Sequence, residues 1–329
     1  MLKDVHHVSM YGLDLGGVQQ FLDRHFGILP IKTEGADEAV ASGMRVAAAS
    51  LLKARVAIFP VGPSLLEFMQ PRGRLGRHYD VVRRNGGKPT VSHICWKLED
   101  ISSRHAELLS RGADIRERDW AGMSAHGGYY VFNIVAEEAV RGVWFQFAEN
   151  LTLSEVTAIE EGQVKTRSHA REVEATGHKW VSSDVPAGAL KYVHHVCYEV
   201  WGLDYMVDYM RKVFGVEPFK REDVSSEGLR AASFHFGRTI AQFVEPTRFD
   251  DANADFALRF GNHPGFCGGG VSHVGWAVDN LDDRIRELSG SGVRFVQAQP
   301  VVSPLGGYRL IDTAPELSGG LTFQLCEDV

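Results

Sequence analysis

Val5-His6-His7-Val8, near the start of the chain, returns almost letter for letter as Val193-His194-His195-Val196. A second phrase travels with it: Val91-Ser92-His93-Ile94-Cys95-Trp96 comes back as Val271-Ser272-His273-Val274-Gly275-Trp276. Each is an apolar, β-branched run that suits a core strand. Each also carries a side chain able to bind a metal, which is costly to bury without a partner. The pairing of phrases points to one site built twice, with His7, His93, His195 and His273 as its floor. His6 and His194 lie one residue off, so strand alternation places them on the opposite face in structural roles.

Around these phrases a larger unit repeats four times. The first runs from strand Val5–Tyr11 to an amphipathic helix Leu15–Phe26, with Val18, Phe21, Leu22 and Phe26 at helical spacing and Gly27 as its cap. Strand-like Ile28–Lys32 follows, then apolar runs Arg45–Leu51 and Arg55–Phe59 and a closing strand Leu65–Met69 before Pro71. The second has strand Ser92–Leu98, helix Ile101–Arg111, cap Gly112, a run Tyr129–Ile134 and closing strand Gly142–Ala148. The third has strand Tyr192–Val200, helix Leu203–Val213, cap Gly215 and closing strand Thr239–Val244. The fourth has strand Ser272–Val278, helix Leu281–Ser289, cap Gly292 and closing strand Gly320–Cys326. This predicts an α+β chain of four βαβββ units paired into two domains, 1–150 and 191–329, each a curled mixed sheet. A polar segment, 151–190, connects them. A second polar, glycine-rich stretch, Thr247–Gly270, is a candidate lid or pocket edge.

Composition narrows the function classes. With 44% hydrophobic and 23% charged residues, 329 residues supply enough apolar material for two packed cores. A net charge of -7 leaves no basic footprint for nucleic acid or an anionic membrane surface. No stretch reaches the roughly 18 apolar residues of a membrane span, and the start of the chain carries no apolar leader. Cys95, Cys197, Cys267 and Cys326 are scattered, so the expectation is a reduced, cytoplasmic protein whose strand cysteines act as small hydrophobes.

Metal-capable residues fall at matching places on the opening and closing strands. The first half offers His7, Glu67, His93 and Gln146; the same places in the second hold His195, Gln242, His273 and Gln324. Local phrases agree: Glu67-Phe68-Met69-Gln70-Pro71 parallels Gln242-Phe243-Val244-Glu245-Pro246, and Gly142-Val143-Trp144-Phe145-Gln146 parallels Gly320-Leu321-Thr322-Phe323-Gln324. Two imidazoles and a carboxylate suit Fe(II), Mn(II), Co(II), Ni(II) or Zn(II). The second half sets two histidines against two amides without a negative charge, so the first is expected to hold the competent site. Tyr129, Tyr130 and Tyr308 precede or open closing segments and are candidate pocket-lining hydrogen-bond donors.

In order and duplication these phrases resemble the vicinal oxygen chelate superfamily, which includes glyoxalase I, methylmalonyl-CoA epimerase, extradiol ring-cleaving dioxygenases and bleomycin- or fosfomycin-resistance proteins. The resemblance covers nearly the whole chain except its central connection. It implies that paired units cup a divalent metal, with ligands at His7, His93, Glu67 and Gln146 and their second-half equivalents. The last ligand is usually Glu in that family, and both halves here have Gln. The resemblance therefore implies a metal-dependent isomerase, epimerase or lyase acting on a small substrate with vicinal oxygens, with Glu67 as the remaining proton-moving carboxylate. The runner-up is a ring-cleaving non-haem Fe(II) dioxygenase, against which Gln324 counts. A third reading is a non-catalytic ligand-binding or resistance protein. A small-molecule partner follows in each case, and a homodimer is compatible with all of them.

Overall fold

The fold comes from a computed structural model that describes residues 2–30, 54–74, 77–98, 101–124, 127–135, 143–150, 190–248 and 270–329. In the first half these form β1 (Leu2–Tyr11), α1 (Leu15–Phe26), β2 (Ala54–Val61), β3 (Ser64–Pro71), α2 (Arg77–Arg84), β4 (Thr90–Leu98), α3 (Ile101–Ser110), β5 (Ile115–Ser124), β6 (Gly127–Val135) and β7 (Trp144–Asn150). The second half has β8 (Tyr192–Glu199), α4 (Leu203–Tyr209), β9 (Lys220–Val224), β10 (Leu229–Phe236), β11 (Thr239–Pro246) and β12 (Val271–Ala277). It ends with α5 (Leu281–Gly290), β13 (Val301–Val302), β14 (Tyr308–Asp312) and β15 (Gln324–Asp328).

The strands make two sheets, seven-stranded β2-β3-β1-β4-β7-β6-β5 and eight-stranded β13-β14-β15-β12-β8-β11-β10-β9. One rule generates both. Each unit's opening strand lies parallel to its own closing strand, in the pairs β1/β3, β4/β7, β8/β11 and β12/β15. The opening strands of paired units then meet antiparallel, β1 against β4 and β8 against β12. The predicted α+β architecture of paired βαβββ units is what the structure has, and it places the duplicated histidine strands at the centre of each sheet.

Local sequence explains why the helices sit where they do. Asp14 caps α1 by accepting from the Gly17 amide, and Gly27 ends it in the left-handed region at φ 65°. The helix buries Leu15, Val18, Phe21, Leu22 and Phe26, each contributing about 1.5–3 kcal/mol of apolar transfer. Phe21 stacks on Phe323 of the other half, ring centroids 5.4 Å apart, and Phe145 meets Phe214 at 5.3 Å. Trp96 Nε1 donates to the Tyr198 hydroxyl at 3.3 Å. The apolar core thus runs continuously from one half into the other.

Several expected boundaries move. Helix Leu203–Val213 is α-helical only to Tyr209 and finishes as a π turn, Met210–Phe214. The closing strand expected over Gly320–Cys326 begins at Gln324, because Gly319 and Gly320 take positive φ of 62° and 87° and hold the preceding segment in a turn. Ile28–Pro30, the start of the strand-like run Ile28–Lys32, is not a strand, and the rest of that run lies outside the described residues. Arg45–Leu51 lies wholly outside them, as do nearly all of the connection 151–190 and most of Thr247–Gly270. Among the described residues no helix is long and apolar enough to cross a membrane.

Candidate metal centre

Each histidine phrase sits on a β-bulge, and the bulges occur at the same places in both halves. Across β1 and β4, Val5 pairs with Trp96 and His7 with Cys95, so His6 is the extra residue; across β8 and β12, Val193 pairs with Trp276 and His195 with Gly275, so His194 is extra. A second shift follows: Ser9 pairs with His93 and Met10 with Val91, while Cys197 pairs with His273 and Tyr198 with Val271. Ser92 and Ser272 are therefore the extra residues there. The bulges bring the rings of His6 and His194 against those of their neighbours, a contact that strict alternation does not provide. A bulge suspends strict alternation, and the two rings of each pair meet edge to face, with Nδ1–Nδ1 separations of 2.8 Å for His6/His7 and 3.0 Å for His194/His195.

In the first half the register assembles two adjacent rows. His7 on β1 stands beside Cys95 on β4, which stands beside Gln146 on β7. One step along, Glu67 on β3 stands beside Ser9 and Ser9 beside His93. His7 Nε2 lies 3.0 Å from His93 Nε2, and one ring nitrogen of each and a Glu67 carboxylate oxygen all lie within 4.8 Å of one another. Two nitrogens on adjacent positions of one ion, each about 2.1 Å from it, stand about 3.0 Å apart, so this separation suits a shared cation. Ser92 Oγ lies 3.1 Å from His93 Nδ1, which leaves the Nε2 edge turned to His7. His7 and Glu67 are buried and His93 is half-buried.

Glu67 is a buried carboxyl, and burial pushes its pKa above the ordinary value; the Ser9 hydroxyl, donating to Oε2 at 2.7 Å, pulls the other way. The Gln146 side-chain oxygen is buried with no hydrogen-bond partner among the described residues. A buried carbonyl left without a donor is suited to a cation, so the residues present fit the divalent metal that the site's donor set calls for. Burial also raises the Cys95 thiol well above its ordinary value, with the Glu67 charge adding to it. Cys95 groups with His6 and His7, as Cys326 does with His194 and His195. Both thiols are held protonated by burial, which makes them poor ligands beside two imidazoles and a carboxylate.

The second half brings together the same positions with different chemistry. The His195 and His273 rings meet edge to face at 5.3 Å. Burial holds both below their ordinary value, His195 well below, with repulsion from His273 and His194 adding to the effect there. Gln242 Oε1 accepts from the Tyr308 hydroxyl at 3.2 Å, while His195 Nε2 and Gln242 Nε2 have no partner among the described residues. The expectation of no negative charge in this half is corrected by Asp312 on β14. It pairs with Gln324 in the register and accepts from Gln324 Nε2 at 3.1 Å. Its charge partly offsets the burial that lowers His273. Gly275 makes room for this cup, since a Cβ there would overlap the His195 ring.

Of the tyrosines, Tyr308 lines the second cup, its ring 4.9 Å from that of His195. Tyr129 and Tyr130 lie on β6, but their side chains fall outside the described residues. Sequence reasoning missed Ser9, Asp312 and the contact of Cys326 Sγ with His195 Nδ1 at 3.8 Å. Ser9 was within reach of that reasoning, because it shares strand parity with His7.

Known proteins place this architecture. Residues 194–309 match the family model described as the glyoxalase/bleomycin resistance protein/dioxygenase superfamily. No curated protein matches the chain in sequence. A triple mutant of 4-hydroxymandelate synthase from Streptomyces coelicolor is similar over 99% of this chain and 92% of that one, with a TM-score of 0.63 and 17% identity, a likeness of fold. Two shorter structures each cover 43% of this chain with a TM-score of 0.36. They are methylmalonyl-CoA epimerase from Mycobacterium tuberculosis, at 22% identity over 89% of its length, and a Streptomyces coelicolor methylmalonyl-CoA epimerase variant, at 24% over 96%.

Proposed function

For a chain whose residues 194–309 match the glyoxalase/bleomycin resistance protein/dioxygenase superfamily, we propose a metal-dependent isomerase, epimerase or lyase whose working site is in the first half. The observation that supports it is the meeting of a ring nitrogen of His7, one of His93 and the Glu67 carboxylate within 4.8 Å of one another. The two imidazoles would bind a divalent ion through Nε2, Glu67 would supply charge compensation, and Gln146 would add a neutral oxygen. When bound, such an ion supplies a Lewis acid toward two adjacent oxygens of a small substrate.

Glu67 is the residue we assign to proton movement. Its burial raises its proton affinity toward the range useful to a general base. Ser9 holds Oε2 and fixes the carboxylate, which would take the proton from the carbon beside the bound oxygens and return it. The surrounding core strands keep water from that proton while it is held. The division into halves 1–150 and 191–329, joined by 151–190, belongs to the same reading.

A second reading has a specific support: two histidines and one carboxylate is also the facial set of non-haem Fe(II) oxygenases. Metal analysis of protein purified without chelators, followed by solvent-deuterium exchange at carbons next to vicinal oxygens, tests the first reading. One divalent ion per chain and exchange that stops in Glu67→Gln are expected. Oxygen uptake with catechols on the iron-loaded protein selects the second reading. Tight ligand binding without turnover, or no metal at all, defeats both.

A further inference from the structure

The second half holds a chain of three side chains that runs from solvent to the buried cup. Asp328, at the end of β15, is exposed and lies 3.0 Å through Oδ1 from His194 Nε2. His194 Nδ1 lies 3.0 Å from His195 Nδ1, and both rings are buried. His195 Nε2 then faces the cup without a partner among the described residues. The outer end of the chain opens on a small surface cavity lined by Lys191, Tyr192, His194, Asp279 and Asp328.

From this geometry we infer that Asp328 and His194 set the tautomer of His195, fixing its Nε2 as an unprotonated lone pair aimed into the second cup. On neutral rings each proton can be counted. A carboxylate accepts only, so His194 must carry its proton on Nε2. Its Nδ1 is then an acceptor, so His195 must donate from Nδ1, and its Nε2 is left bare. The competing influence is Gln324, whose Nε2 is committed to Asp312 and whose oxygen would favour a proton on His195 Nε2. That oxygen is neutral and is the smallest of the influences on the His195 ring, whereas the Asp328 contact with His194 is charge-assisted at 3.0 Å. The carboxylate prevails.

Asp328 is therefore a positioning residue: it acts on the cup through His194 and does not reach it. The lone pair it sets is what an electron-pair acceptor needs, whether a divalent cation or a donating hydroxyl of a bound molecule. The register pairs Tyr308 with Asp328 and, in the first half, Tyr129 with Asn150, so an amide stands where the carboxylate would be.

The inference is independent of the metal site proposed for the first half, and its test needs neither activity nor metal. In metal-free protein with 15N-labelled histidine, long-range proton–nitrogen spectra distinguish the two neutral tautomers of each ring. Wild type should show His195 protonated at Nδ1. Asp328→Ala should turn His195 into a mixture of tautomers, with the His6 and His7 signals and the melting temperature unchanged, since Asp328 is exposed. Asp328→Glu, which keeps an acceptor-only carboxylate, should retain the wild-type form. A His195 protonated at Nε2 in wild type, or a tautomer indifferent to Asp328→Ala, overturns the inference.

Discussion

The two cups share bulges, strand order and paired histidines, yet they put their carboxylates in different places. In the first, Glu67 stands in the row with His93 and belongs to the group that would touch a ligand. In the second, that position is Gln242, and the charges have moved one residue outward: Asp312 behind Gln324, and Asp328 behind His194. Even the thiol changes strand. Cys95 on β4 is matched in the register by Gly275, while Cys326 on β15 is matched by Ala148. Duplication has conserved the scaffold and redistributed the electrostatics. An acceptor-only carboxylate inside a cup compensates a cation directly, whereas one behind a neutral amide or imidazole orients that group instead.

The sharpest way to break the comparison is to remove one histidine from each half. His93→Ala should cost the first cup at least about 100-fold in divalent-metal affinity, beyond the range seen for outer-sphere partners. His273→Ala should leave the metal content after dialysis unchanged. Equal losses in the two variants would mean that the halves are not chemically distinct. A gain is the next largest effect expected. Gln242→Glu gives the second half the donor set of the first, and the Tyr308 hydroxyl that donates to Gln242 Oε1 can donate to a carboxylate equally well. Calorimetric titration with Co(II) or Zn(II) should then rise from one site per chain to two, the new one about 10- to 100-fold tighter than whatever wild type shows in that half. A titration still limited to one site would show that more than Glu67 separates the halves.

The repeats make the unit pattern and the site's strands legible in the sequence, since an apolar run interrupted by one or two histidines is rare enough to recognise four times. The helix Leu15–Phe26 is legible to the residue, because its apolar spacing and its Gly27 cap agree. What stayed hidden has physical causes. The edge strand β9, Lys220–Val224, carries charges at four of its five positions and has no apolar alternation to find. The bulges at His6, Ser92, His194 and Ser272 break the period of two that side-chain facing rests on, so the ring contacts of His6 with His7 and of His194 with His195 are not legible from alternation. Asp312 escaped notice because its partner Gln324 is distant in sequence, and only the pairing of β14 with β15 brings them together.

The smallest expected effect concerns the proton on Glu67, and it separates a carboxylate inside a cup from one behind it. Burial raises the folded-state pKa of Glu67 above the ordinary 4.5, so the metal-free folded protein binds this proton more tightly than the unfolded chain does. Stability from this group is therefore fully present below about pH 4.5 and is lost as pH rises through the raised value. Ser9→Ala removes the hydrogen bond that opposes the rise, so the loss should continue to higher pH and deepen by about 1.5–3 kcal/mol where the carboxylate is charged. Glu67→Gln should abolish this part of the slope and leave metal-free protein more stable than wild type near neutrality. Thermal unfolding across pH in the presence of a chelator measures all three. A saturating divalent ion should flatten the wild-type slope, because the ion replaces the proton that burial would otherwise retain. If wild type and Glu67→Gln share one pH profile, the carboxylate does not experience the buried environment that distinguishes the first cup, and its assignment as both ligand and base fails.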